Sequence, residues 1–255
     1  MSKSFLYRTL PHIAFECLER YFRVEVEGLE NLPKSGPAIL LPNHSGFLGL
    51  DALLLSHLIH KKRGRLPRIM LHKLWFSGGI LSNTAKSLGF VEASYEAGLS
   101  ALEKNKILML FPEGEEGNFK PSRERYQLKD FRRGFLRLAE ETAAPIIPCV
   151  VIGAEEANLT LGQVRIFRQL LPIPLNLVPL PSKWKIRFLP PFRAGEEDFE
   201  RSAVGLQKVL RLQQKAARLR AVMQTAIDDE LKQRKFVFFE GKDPRGNLPR
   251  KPLNN

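Results

Sequence analysis

Three short apolar runs constrain this chain most: Ala38-Ile39-Leu40-Leu41, Ile107-Leu108-Met109-Leu110-Phe111 and Ile146-Ile147-Pro148-Cys149-Val150-Val151. Each has the length of a strand and carries no charge, the pattern of strands buried inside a sheet. Segments with helical spacing separate them, at 51–60, 94–104 and 131–142, and shorter strands fall near 69–72 and 88–92. Strands that alternate with helices predict an α/β fold, a mainly parallel, twisted sheet flanked by helices. Phe22–Glu27 alternates into Gly28 and predicts a first strand; Lys183–Leu189 alternates strictly and predicts a last one.

Helical segments flank this core. Phe5, Leu6, Leu10, Ile13, Ala14, Cys17, Leu18 and Tyr21 share helical spacing over residues 4–22, which predicts an N-terminal amphipathic helix kinked or started at Pro11. Residues 74–87 predict a helix weakened by Gly78-Gly79, and 196–234 a C-terminal helical extension. The stretch 241–255, rich in Pro, Gly and Asn, is expected to be disordered. The expected divisions are 1–22, a central α/β domain over 23–195, helices over 196–240, and the tail 241–255.

Composition narrows the class. A length of 255 residues suffices for one large α/β domain. The cysteines, Cys17 and Cys149, form no disulfide framework, which points to a reducing compartment. Met1–Arg8 lacks the apolar core and cleavage site of a signal peptide. No window reaches the ~18 apolar residues of a membrane span, so contact with lipid is expected at the surface of a bilayer. The formal net charge is +13 and the pI about 9.9. Such a balance suits an anionic membrane surface or nucleic acid. No nucleic-acid-binding signature accompanies it, and no nucleic-acid partner is expected. Lys208, Arg211, Lys215 and Arg218 line one side of the C-terminal helix, and residues 201–255 carry thirteen basic and five acidic side chains, a net of +8. That helix can lie on a membrane or pack its apolar side on the core.

Chemistry gathers where the apolar strands end. After Ala38–Leu41 comes Asn43-His44-Ser45-Gly46-Phe47-Leu48-Gly49-Leu50-Asp51, a histidine entering a glycine-bearing loop and a carboxylate at the start of a helix. An aspartate can hold an imidazole so that it takes a proton from an alcohol. Asp51 is equally placed to cap the helix that follows. After Ile107–Leu110 comes Phe111-Pro112-Glu113-Gly114-Glu115-Glu116-Gly117, again an acid among glycines, opening a long charged loop over 112–130. His57 and His60 stand three apart on a helix, without further ligands at helical spacing; they read as surface residues, and no metal site is expected. The chain has no Gly-x-Ser-x-Gly elbow, which argues against a covalent serine enzyme.

These residues resemble the glycerolipid (phospholipid/glycerol) acyltransferase superfamily. Asn43-His44 with Asp51 and then Phe111-Pro112-Glu113-Gly114 are similar to its first and third motifs; Leu88-Gly89-Phe90-Val91 and Ala144–Val151 stand where it has its second and fourth. Order and spacing match over roughly residues 24–192. The resemblance implies a glycerol-3-phosphate acyltransferase-like fold, with His44 as base and Asp51 orienting it. It implies substrate contacts from Asn43, Phe111, Pro112, Glu113, Gly114, Lys120 and Arg133. It also implies no cofactor beyond acyl-CoA or acyl-carrier protein as co-substrate, a membrane lipid acceptor, and a cytoplasmic place on the inner face of a membrane.

Two departures bear on the acceptor. The family has four residues between His and Asp; this chain has six, as in a subgroup resembling monoacylglycerol- or diacylglycerol-type acyltransferases. Phosphate-acceptor members follow Glu-Gly with a small residue and an Arg, where this chain has Glu115 and Glu116. Arg clamps phosphate and Glu repels it, so lysophosphatidic acid is expected to be a poor acceptor unless Lys120, Arg132 or Arg133 restores the cation. The competing readings are 1-acylglycerol-3-phosphate acyltransferase and a non-catalytic basic relative that binds lipid or nucleic acid.

Overall fold

The computed structural model describes residues 10–46, 49–72, 89–166, 169–192 and 205–239, together with 76, 79, 82, 83 and 85. The segments predicted over 4–9, most of 74–87 and the tail 241–255 lie outside the described residues. In chain order the elements are α1 (Leu10–Tyr21), β1 (Glu25–Glu27), β2 (Ala38–Pro42), α2 (Leu50–Arg63), β3 (Arg68–Leu71), β4 (Val91–Glu92), α3 (Tyr95–Glu103) and β5 (Ile107–Met109). There follow a one-turn helix α4 (Glu115–Asn118), α5 (Gly134–Thr142), β6 (Ile146–Ile152), a second one-turn helix α6 (Ala154–Ala157), β7 (Thr160–Ile166), β8 (Gln169–Pro174), β9 (Lys185–Phe188) and α7 (Leu206–Gln233).

Seven strands form one sheet in the order β1-β9-β6-β2-β5-β3-β4. β6, β2, β5, β3 and β4 run parallel, and β9 turns antiparallel to β6 with β1 parallel beside it. The three apolar runs are thus the centre of the sheet, with β2 between β5 and β6. Their side chains alternate between two cores, as period-two geometry requires. Ile39, Leu41, Leu108 and Val150 face α3, α5 and α7, while Leu40, Ile107, Met109 and Cys149 face α1, α2 and Trp184. Every residue of β2, β5 and β6 is buried, which is why these strands could be read without any polar alternation.

Two findings went beyond the sequence pattern. β7 and β8 form a separate antiparallel hairpin outside the main sheet, a segment the periodicity left unassigned. α7 packs on the sheet through Leu212, Ala216, Leu219, Met223 and Ile227, all buried. Of its basic stripe, Arg211 reaches Glu140 at 2.9 Å and Lys215 lies 3.9 Å from the same carboxylate, so part of the stripe serves the joint with α5. His57 also departs from its expected surface place. It sits between α1 and α2, stacked on Phe15 at 5.1 Å and facing Glu16 and Glu19.

Candidate active site

β2 and β5 are parallel neighbours, so their C-terminal ends deliver two loops to one place, where open α/β sheets build sites. The first loop carries His44, the second Glu113. Asn43, wholly buried, anchors the first: its side-chain oxygen accepts from Val151 N at 2.7 Å and its amide donates to Val151 O at 3.1 Å. Both ends of this side chain are spent on β6, so Asn43 positions the loop.

Asp51 lies in the first turn of α2 and is 1% exposed. Its Oδ2 stands 3.2 Å from His44 Nδ1 and accepts from Ser45 N at 3.0 Å, while Oδ1 accepts from Ala52 N at 2.8 Å. The helix cap falls on Gly49 instead, whose φ of 65° suits a residue without a Cβ. The six-residue spacing therefore still returns the carboxylate to the imidazole. With Nδ1 held by Asp51, the opposite nitrogen is not used by that pair, and His44 borders a polar cleft shared with Gly46, Asn118, Lys120, Glu155 and Asn158. Phe111 stacks on the imidazole at 4.0 Å and 20°, fixing the ring from its face.

Glu113, 2% exposed, ties the two loops together. Oε1 accepts from His44 N at 3.0 Å and Oε2 from Lys129 N at 2.8 Å. This carboxylate thus shapes the site by holding the backbone of the histidine itself. Gly117 lies against it: a Cβ there would stand 2.4 Å from Glu113 Cβ, closer than any real contact. Pro112 is buried and its carbonyl accepts from Arg132 N at 2.9 Å.

Of the cations expected to face substrate, Lys120 is buried. Its Nζ is 3.0 Å from Glu155 Oε1 and 3.9 Å from Glu113 Oε2, and donates to Gln127 O at 3.2 Å. Arg133 turns away and donates to Val209 O of α7 at 3.2 Å. Arg132 lies over the turn instead: a Cβ on Gly114, whose φ is +64°, would meet its Cζ at 3.0 Å. Glu115 is half-exposed, 3.6 Å from His72.

A buried polar layer beneath the cleft was not foreseen. Burial pushes the Glu155 carboxyl up to about 7, against the opposing pull of Lys120. Its Oε2 accepts from Tyr126 N at 2.9 Å. The Tyr126 hydroxyl donates to Glu156 and accepts from Gly153 N at 2.8 Å, and burial raises its pKa well above the usual phenol value. Arg234, just beyond α7, pairs with Glu156 at 2.7 Å. The signal for this layer was Glu155-Glu156 itself, two acids one glycine and one alanine after a fully buried strand.

The family model described as Acyltransferase matches residues 23–152, which hold β1 to β6 and both site loops. The chain belongs to the acyltransferase family. An uncharacterized protein of Mycobacterium tuberculosis is 35% identical over 184 residues, covering 66% of this chain and 51% of its own. The chicken DGAT1/2-independent enzyme synthesizing storage lipids is 30% identical over 167 residues, covering 64% of this chain and 49% of its own. Human 1-acyl-sn-glycerol-3-phosphate acyltransferase alpha is 26% identical over 168 residues, covering 60% and 55%. This acyltransferase chain thus spans about half the length of the curated relatives it matches. In structure it is similar to the LPA acyltransferase PlsC of Thermotoga maritima, with a TM-score of 0.55, 18% identity, and coverage of 91% of this chain and 86% of that one. That likeness covers a larger share of this chain than the family match.

Proposed function

We propose that this protein is an O-acyltransferase that moves a fatty acyl group from an acyl thioester, acyl-CoA or acyl-carrier protein, to a hydroxyl of a glycerolipid at a membrane surface. The observation that carries the reading is the His44–Asp51 pair at 3.2 Å, with the opposite imidazole nitrogen not used by that pair and His44 bordering the cleft. Nε2 takes the acceptor's hydroxyl proton as the oxygen attacks the thioester carbonyl carbon. The C–S bond of the tetrahedral intermediate then breaks, and the thiolate leaves with the proton His44 carries. Asp51 keeps the tautomer and stabilises the imidazolium. Backbone N–H groups of the glycine-bearing turns are the candidates to hold the oxyanion. Among the described residues no helix is long and apolar enough to cross a membrane, which is compatible with work at a lipid surface.

For the acceptor, Glu115 and Glu116 beside the turn disfavour a phosphomonoester of about −2 charge, and favour mono- or diacylglycerol or a lysolipid with a masked phosphate. The likeness to a storage-lipid enzyme supports the same side. Arg132 over Gly114 supports the rival, lysophosphatidic acid. Acyl transfer to a panel of acceptors, with His44→Ala as control, tests both levels. His44→Ala is expected to abolish transfer with an unchanged circular dichroism spectrum; a folded variant with near-normal kcat would remove His44 as the base. The kcat/KM for monoacylglycerol is expected to exceed that for lysophosphatidic acid. A tenfold preference the other way, about 1.4 kcal/mol, would reverse the acceptor and leave the acyltransferase reading standing.

A further inference from the structure

The β7–β8 hairpin is a two-stranded ribbon that joins no other sheet among the described residues. Such ribbons are marginal alone in water, and this one is held at its root. Thr160 N donates to Ser122 Oγ at 2.8 Å and Thr160 Oγ1 to Lys120 O at 2.8 Å, while Asn176 bridges Leu159 N and Ala157 O at 2.7 and 2.9 Å. Thr160 and Asn158 border the same cleft as His44, so the ribbon leaves the body of the protein from the mouth of the site.

What the ribbon presents to solvent is apolar. Val164 stands opposite Leu171, with Ile173 and Leu175 further along the same alternation, and all four are exposed. The segment leaving β8 continues the surface with Leu177 and Val178, 74% and 76% exposed. Contiguous exposed aliphatic surface of this kind marks a docking face. At its base Tyr21 donates to Pro179 O at 2.7 Å and Arg23 to Pro181 O at 2.7 Å and to Phe238 O, bringing half-exposed Tyr21 and exposed Phe239 beside it. Tyr21, an aromatic ring with a polar tip, suits the headgroup level of a bilayer.

Charge selects the partner. From Ala157 to Ala194 the sequence contains no Asp or Glu and six Lys or Arg. Lys183, Lys185 and Arg187 pair with Glu25, Glu27 and Glu230 on neighbouring elements. Arg165 lies in β7 opposite Leu170 and is exposed, Arg168 follows in sequence between β7 and β8, and the ribbon's sequence contains no acid. An aliphatic ribbon with a cationic side chain and no acid in its own sequence complements an anionic lipid surface.

We infer that the β7–β8 ribbon and the segment leaving it through Val178 dock this protein on bilayers containing anionic lipid and bring the cleft mouth to the membrane. The inference rests on the lipid-acyltransferase reading for its purpose, and its test reads binding separately from catalysis. The full chain is floated with vesicles of phosphatidylcholine alone or with about 30% phosphatidylglycerol. The Leu177→Asp/Val178→Asp double variant is expected to lose at least about tenfold in partition to the anionic vesicles. Its melting temperature and its transfer to detergent-dispersed acceptor should be unchanged. Arg165→Glu should lose the preference for the anionic vesicles. Leu206→Asp, at an equally exposed leucine on α7, should bind as wild type. Wild-type flotation by the double variant would overturn the docking surface, and so would equal loss with Leu206→Asp. So would a wild-type dimer that the double variant dissolves, because the ribbon would then cover a second copy. Wild-type flotation without acyl transfer to any acceptor would remove the enzymatic reading and leave the ribbon's role intact.

Discussion

At the residue scale the site depends on two carboxylates whose oxygens are all engaged. Asp51 receives N–H donors on both oxygens, from Ser45 and Ala52, besides the imidazole. An amide nitrogen in either place would face a donor with a donor. Asp51→Asn is therefore expected to do more than lose a charge. It should leave a buried N–H unpaired at about 1–3 kcal/mol and lower kcat by at least about 100-fold through the wrong imidazole tautomer. Steady-state kinetics with urea denaturation checks both numbers. An Asp51 that merely caps α2 would tolerate Asn silently, and wild-type kcat in the Asp51→Asn variant would return it to that role. Glu113 has the same character: it binds two backbone N–H groups, so its work is to hold His44 and the loop of Lys129 in register.

At the element scale, the long loop 112–130 is fastened from below and from the side. Lys120 and Tyr126 bind Glu155 at the start of α6, while Gln224 of α7 accepts from Leu128 N and donates to Tyr126 O, each at 2.9 Å. The Glu155 carboxyl, raised to about 7 from 4.5, gives this joint a pH dependence. Between those values the folded protein keeps a proton that the unfolded chain has released. The contribution is thus fully present below pH 4.5 and is lost as pH rises through about 7. Urea unfolding of wild type and Glu155→Gln over this range should show the wild type losing on the order of 3 kcal/mol relative to the variant. Parallel stability curves would show that Lys120 holds Glu155 ionised throughout.

At the scale of the whole molecule, α7 closes one face of the sheet and simultaneously fixes the site loop. Leu219 is fully buried and Leu210, on the same helix, is 50% exposed. Leu219→Ala should cost about 2–5 kcal/mol in urea unfolding and Leu210→Ala within about 0.5 kcal/mol. Equal small effects would mean that α7 is not part of the folded core. Its basic side chains bear on the same point, since Arg211 and Lys215 face Glu140 of α5. Elsewhere in the chain, the span from Ala157 to Ala194 that carries the ribbon holds six basic and no acidic residues.

The central sheet and the motif positions were legible in the chain because they rest on local pattern. Runs such as Ile39–Leu41 and Ile107–Met109 are buried on both faces, so their apolar composition survives any choice of partners, and His44 and Glu113 follow directly from where those strands stop. Family resemblance could be stated from the same strand-end residues for the same reason. What a side chain does at the site was decided by tertiary placement. Asn43 was spent on Val151, Lys120 on Glu155 and Arg133 on α7, because partners far along the chain supplied the contacts. Sequence spacing carries no record of such contacts. It also could not choose between membrane and core for α7, since an amphipathic helix has the same period on either. Nor could it find the ribbon: its prolines and exposed leucines break the strand pattern, and only the antiparallel pairing of Thr160–Ile166 with Gln169–Pro174 makes them one surface.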